Sequence, residues 1–133
     1  SHFTVDHRLH YPYQEGRTVF RYAVTNMSDD VMEVMRQNNL TPGDVDWVIP
    51  HQANLRIEEA VAKRAEIDPS KVLINIERYG NTSSATIPLA MWDFEDRFKK
   101  GDKLILTAFG AGFVHGAAYY KWAYDGAAVA GKK

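Results

Sequence analysis

The sequence predicts an α/β fold, a mixed sheet containing parallel strands with helices packed on it. Three observations carry this. Helical and strand patterns alternate along most of the chain, and such alternation sets strands parallel through right-handed crossovers. The segments 72–76 (VLINI) and 103–109 (KLILTAF) are apolar almost throughout, as strands covered on both faces are. The final strand follows its predecessor after a very short break, so it should pair antiparallel at one side.

The elements follow in order. Residues 1–15 (SHFTVDHRLHYPYQE) are aromatic and polar without a sustained period and read as extended or loop. Over 17–38, Phe20, Val24, Met27, Val31, Val34 and Met35 recur at helical spacing and make one apolar stripe. Asn38 and Asn39 end that helix, and Thr41-Pro42-Gly43-Asp44 is a turn with Thr41 in a capping position. A short strand, 45–49, is closed by Pro50. The next helix, about 53–65, should turn Ile57, Ala60, Val61 and Arg64 to one face. Asp68-Pro69-Ser70 turns the chain into the strand VLINI, and 77–82 (ERYGNT) is a loop around Gly80. A helix over about 83–99 puts Ile87, Met91, Phe94 and Phe98 inward, and Pro88 must sit in its first turn or kink it. Gly101-Asp102 leads into KLILTAF, Gly110-Ala111-Gly112 breaks it, and 114–122 is the last strand. Residues 125–133 have the composition of a frayed tail.

Composition excludes several classes. With 133 residues, 45% hydrophobic and 25% charged, the chain is one globular domain or half of a larger one. A net charge of −1 argues against electrostatic binding of nucleic acid or anionic membrane. No apolar run approaches the roughly 18 residues of a membrane span, and no signal peptide is evident, so a cytoplasmic location is the expectation. The chain has no cysteine, which removes disulfides, thiolate metal sites and a cysteine nucleophile from these residues. His2, His7 and His10 have spacings that fit no common ligand pattern, so no metal site is expected.

Open α/β sheets hold their sites beyond the carboxyl ends of the parallel strands. Pro50-His51-Gln52-Ala53-Asn54, Tyr79-Gly80-Asn81-Thr82-Ser83 and Phe109-Gly110-Ala111-Gly112-Phe113 all fall there. Taken singly, each has a plain structural reading. His51, the only histidine expected at a strand end, would be a satisfied core imidazole, Asn81 a turn residue or cap, and the glycine-flanked loop a hairpin or bulge. Their coincidence at one rim offers an imidazole N–H, an amide N–H and backbone N–H groups. With no carboxylate placed to make His51 a strong base, the set reads as donors to a developing oxyanion rather than a hydrolytic triad.

His51-Gln52-Ala53-Asn54-Leu55-Arg56-Ile57, Tyr79-Gly80-Asn81-Thr82-Ser83 and Ala108-Phe109-Gly110-Ala111-Gly112-Phe113 resemble β-ketoacyl-acyl-carrier-protein synthase III, the condensing enzyme that starts bacterial type II fatty acid synthesis. The resemblance runs from about Tyr11 to Trp122. It implies a thiolase-like fold of two similar halves, with residues 1–133 as most of the C-terminal half. It also implies that His51 and Asn81 hold the thioester carbonyl of malonyl-ACP and stabilise the enolate as carbon dioxide leaves. The loop at Ala111, where several relatives have glycine, would give a backbone N–H to the oxyanion hole. Asn54 would face the pantetheine arm, Gly16, Arg17 and Phe20 the CoA tunnel, and Arg56 the docked carrier protein. From the residues alone, Arg56 is equally a solvated helix residue. The implied partners are acyl-CoA, malonyl-ACP and a second copy in a homodimer. CoA and ACP thioesters are substrates, and no cofactor is needed.

The family's nucleophile is a cysteine of the N-terminal half, and this chain has none. Without it no acyl-enzyme forms, so these residues are expected to be inactive alone. A piece of a longer enzyme, a chain that pairs with a separate N-terminal half, and a non-catalytic homologue are the explanations. For function, the alternatives are a type III-like condensing enzyme of secondary metabolism and a non-catalytic carrier-protein-binding module. A binding surface would have no use for the donors His51 and Asn81.

Overall fold

The structure is a computed structural model that describes residues 11–51, 54–75, 86–110, 112 and 114–130, with residues 11–15 and 130 as backbone only. Helix α1 (Tyr11–Gln37) starts well before the expected residue 17. Pro12 stands in its first turn, where a missing N–H costs nothing. Ala23, Met27, Val31 and Met35 lie four apart and are buried, which places them on one face. The helix ends as expected at Asn39, whose φ of 54° is left-handed, a conformation asparagine tolerates. Leu40 N–H then donates to Met35 C=O at 2.8 Å. In the turn that follows, a 3-10 segment at Pro42–Asp44, the Thr41 N–H and hydroxyl both donate to Asp44 Oδ2.

The sheet has the order β1-β2-β3, from β1 (Trp47–Pro50), β2 (Lys103–Gly110) and β3 (Val114–Lys121). β1 and β2 are parallel and β2 and β3 antiparallel, the mixed arrangement the sequence predicts. The expected strand at 72–76 is reduced, among its described residues, to one parallel bridge from Val72 to Val48 on the free side of β1, with Leu73 N–H donating to Val48 C=O at 2.9 Å. Residue 76 lies outside the described residues.

Both faces of β1 and β2 are covered, which is why β2 reads as a nearly continuous apolar run. Val48 and Ile105 join Met27, Val31, Val61 and Ala65 beneath α1 and α2 (Leu55–Arg64). Ile49 and Leu104 join Ala90 and Phe98 beneath α3 (Thr86–Phe94). Alternate residues of each strand thus go to opposite layers. Ile87, Met91, Phe94 and Phe98 all pack in this second cluster, as expected, and Pro88 is the third residue of α3. The helix is shorter than expected. It stops at Phe94 and gives way to a 3-10 turn at Glu95–Arg97.

Two other expectations are corrected. Arg64 does not share the buried face of α2. That face carries Glu58, Val61, Ala62 and Ala65, while Arg64 Nη1 reaches out to Ser28 Oγ at 2.7 Å and Asp29 Oδ1 at 2.5 Å on α1. A guanidinium at the seam satisfies its donors there instead of burying them. The frayed tail expected over 125–133 is, as far as Ala130, a docked segment ending in α4 (Ala127–Ala130). Gly126 is buried and donates its N–H to Phe98 C=O at 2.8 Å, and Asp125 Oδ1 accepts from Lys100 N–H.

Candidate active site

His51 leaves the carboxyl end of β1. Pro50 opposes Thr107 in the register, and the next residue, His51, donates its N–H to Thr107 C=O at 2.8 Å. The backbone of β2 therefore fixes where the imidazole starts. The side chain is half-buried and runs toward α3, where Nδ1 lies 2.5 Å from Thr86 Oγ1. Burial pushes the imidazole below its ordinary pKa, because desolvation disfavours the charged form. The ring is then neutral at pH 7, keeps one N–H, and can donate one hydrogen bond from it.

Thr86 is a site residue that sequence reasoning missed. It is 2% exposed and stands at the first residue of α3. In the sequence it is one more hydroxyl in the polar run 81–86 (NTSSAT), and nothing there separates it from Thr82, Ser83 or Ser84.

The hairpin after β2 lies at the same end of the sheet, since β1 and β2 run parallel and β2 continues three residues past the Pro50–Thr107 pair. Gly110 faces Val114 across it, and Gly112 has φ 76°, where glycine meets no Cβ penalty. The proposed donor Ala111 lies outside the described residues, as do Asn81, Gln52 and Ala53.

His51 is not the only histidine at this rim, contrary to the sequence reading. β3 starts where β2 ends, so its second residue, His115, lies there too. It faces the other layer. Its Nδ1 pairs with Asp30 Oδ2 of α1 at 2.6 Å, and its ring meets Tyr22 edge-on. The short break before the last strand already implied this return to the rim; the pairing with Asp30 on α1 is what the sequence does not show.

The remaining candidates gather at the start of α1 and α2. Asn54 caps α2, its Oδ1 accepting from Arg56 N–H at 2.9 Å. Arg56 is exposed, with its guanidinium carbon 5.5 Å over the Phe20 ring. Gly16 and Arg17 are exposed one turn earlier on α1. A Cβ at Gly16 would meet nothing within 4 Å. Among the described residues no group of three or more His, Cys, Asp or Glu could hold a metal ion. His2, His7 and His10 lie outside them. No helix among the described residues is long and apolar enough to cross a membrane.

The family model described as 3-oxoacyl-(acyl-carrier-protein) synthase III C terminal matches residues 35–122. Over 126 residues the chain is 64% identical to the β-ketoacyl-(acyl-carrier-protein) synthase III of Phocaeicola vulgatus, covering 95% of this chain and 38% of that protein. It is 58% identical to the enzyme of the same name from Porphyromonas gingivalis, over 97% of this chain and 38% of the relative. The crystal structure of 3-oxoacyl-(acyl-carrier-protein) synthase III from Aquifex aeolicus superposes with a TM-score of 0.78 at 41% identity, covering 80% of this chain and 35% of that one. The priming β-ketosynthase of the R1128 polyketide pathway superposes with a TM-score of 0.75 at 31% identity, covering 83% and 34%. The chain thus spans about 38% of the length of the curated relatives it matches.

Proposed function

The chain belongs to the family of the C-terminal part of 3-oxoacyl-(acyl-carrier-protein) synthase III, and from that premise we propose that it supplies the decarboxylation half of a condensing enzyme's active site. In this reading an acyl group first moves from acyl-CoA to a cysteine in the rest of the enzyme, releasing CoA. Malonyl-ACP then binds with its thioester carbonyl facing His51 and Asn81. The bond from the malonyl methylene to its carboxylate breaks, carbon dioxide leaves, and the electron pair passes onto the thioester oxygen as an enolate. The imidazole N–H of His51 and the amide N–H of Asn81 stabilise that charge. The enolate carbon attacks the acyl thioester, the backbone N–H of Ala111 helps hold the resulting oxyanion, and the thiolate departs to leave β-ketoacyl-ACP. Donors aimed at charge that appears only in the transition state are the effective kind. Acyl-CoA, malonyl-ACP and a second copy in a homodimer are the proposed partners, and no cofactor enters the scheme.

The observation that carries this reading is the state of His51, a half-buried imidazole held neutral at the end of β1. No carboxylate among the described residues bonds to its ring to make it a base. The identities support fatty acid initiation over secondary metabolism, since 64% to a relative named β-ketoacyl-(acyl-carrier-protein) synthase III exceeds 31% to the polyketide priming enzyme. The test is His51→Ala in the full-length enzyme, with the two half-reactions assayed separately. Decarboxylation of malonyl-ACP should fall by about 10²–10³, the usual cost of one such donor, while acyl transfer from acyl-CoA persists. Equal loss in both would sink the assignment.

A further inference from the structure

Two groups share one contact between β1 and α3. His51 Nδ1 and Thr86 Oγ1 are 2.5 Å apart, so one of them must give the other a proton. Thr86 is 2% exposed, so bulk water does not compete for its hydroxyl. If Nδ1 carried the imidazole's proton, Nε2 would present a lone pair, and a lone pair repels a developing oxyanion. If the hydroxyl gives its proton to Nδ1, Nε2 keeps its N–H and can donate. A hydroxyl can do either, and the bond made by one ring nitrogen fixes the state of the other.

We propose that Thr86 is a positioning residue whose hydroxyl donates to His51 Nδ1 and thereby holds the imidazole as its Nε2–H tautomer. This rests on the reading of His51 as an N–H donor to the malonyl thioester. Two elements then fix the ring. The backbone bond to Thr107 anchors its root, and Thr86 sets its proton. Neither role needs a carboxylate, and a neutral partner avoids the pull toward imidazolium that a carboxylate would exert.

The experiment uses the full-length enzyme labelled with ¹⁵N-histidine, with the His51 resonances identified by their loss in His51→Ala. In the wild type, Nδ1 should show the shift of an unprotonated acceptor and Nε2 that of a protonated nitrogen. Thr86→Val, similar in shape but without the hydroxyl, should mix the tautomers and slow malonyl-ACP decarboxylation about tenfold, the scale of one hydrogen bond, with acyl transfer retained. Thr86→Ser should restore both. A wild-type spectrum with the proton on Nδ1 overturns the proposal whether or not any variant folds. So does a Thr86→Val enzyme with unchanged tautomer, or a loss shared by both half-reactions that Thr86→Ser fails to restore. Failure of the donor reading shows elsewhere, as equal loss of both half-reactions in His51→Ala, while the spectrum still reports the Thr86 bond directly.

Discussion

The guanidinium of Arg56 lies over the Phe20 ring, 5.5 Å from its centre, and joins the first turn of α2 to α1. The resemblance assigns these two residues different duties, one to the carrier protein and one to the CoA tunnel. Their contact makes them parts of one surface. The Phe20 ring lies against an exposed cation, whose planar fork is suited to meeting a carboxylate.

That arrangement predicts a selective defect. Arg56→Glu in the full-length enzyme should raise KM for malonyl-ACP, whose carrier is acidic, far more than KM for malonyl-CoA. The difference should shrink as salt rises, because the Debye length is about 10 Å at 0.1 M. Steady-state assays with both donors at low and high salt check it. Equal impairment of the two donors would assign Arg56 to the Phe20 packing alone.

Glu58 carries a prediction in pH. Its side chain is 1% exposed, and among the described residues neither carboxylate oxygen has a hydrogen-bond partner. Burial, with a smaller push from Glu59, raises its pKa to about 8. In the unfolded chain it titrates near its ordinary 4.5. Between those values the folded state holds a proton that the unfolded state has lost, so stability falls as pH rises through the window and levels off above it. Glu58→Gln mimics the protonated form at every pH. Its melting temperature should match the wild type below pH 4.5 and exceed it at pH 8.5. A difference that does not change with pH would mean that the carboxyl ionises normally.

Legibility of the fold followed the strength of local signals. The parallel pairing of β1 and β2 was readable because helical and strand patterns alternate along the chain, and the apolar run of β2 required two covering layers. The helical stripe from Phe20 to Met35 was readable because its period extends over many turns. Arg64 was misread, and Glu58 shows the reason. On α2 the polar residues do not mark the solvent face, since a carboxyl is buried while the arginine beside the core is drawn out to Ser28 and Asp29. Periodicity weighs residue types and cannot register a partner on another helix.

The candidate site divides in the same way. His51 was visible from its place after a strand, with the flanking heptapeptide adding specificity. Thr86's role and His115's pairing with Asp30 were invisible because both depend on distant contacts. Thr86 acquires its role only when α3 lies against the end of β1. His115 meets Asp30 only when α1 lies against β3.

Gly126 gives the last prediction, for the segment that composition marked as a tail. A Cβ there would sit 1.7 Å from the Glu95 carbonyl oxygen and 2.8 Å from its carbon. Both are backbone atoms of the turn at Glu95–Arg97, which cannot swing aside as a flexible side chain could. Glycine is thus required by close approach and not by its torsion angles, and composition alone cannot reveal that. Gly126→Ala should push the segment off, breaking its N–H bond to Phe98 C=O and the Lys100 bond to Asp125. It should also uncover Phe98, which Trp122 meets edge-on at 4.8 Å. Loss of one backbone bond and part of that packing suggests a cost of about 1–3 kcal/mol. Limited proteolysis should then cleave beyond Trp122 much faster than in the wild type, with a lowered melting temperature. Gly126→Ala with wild-type resistance and melting would show that the segment is not held against Glu95–Phe98.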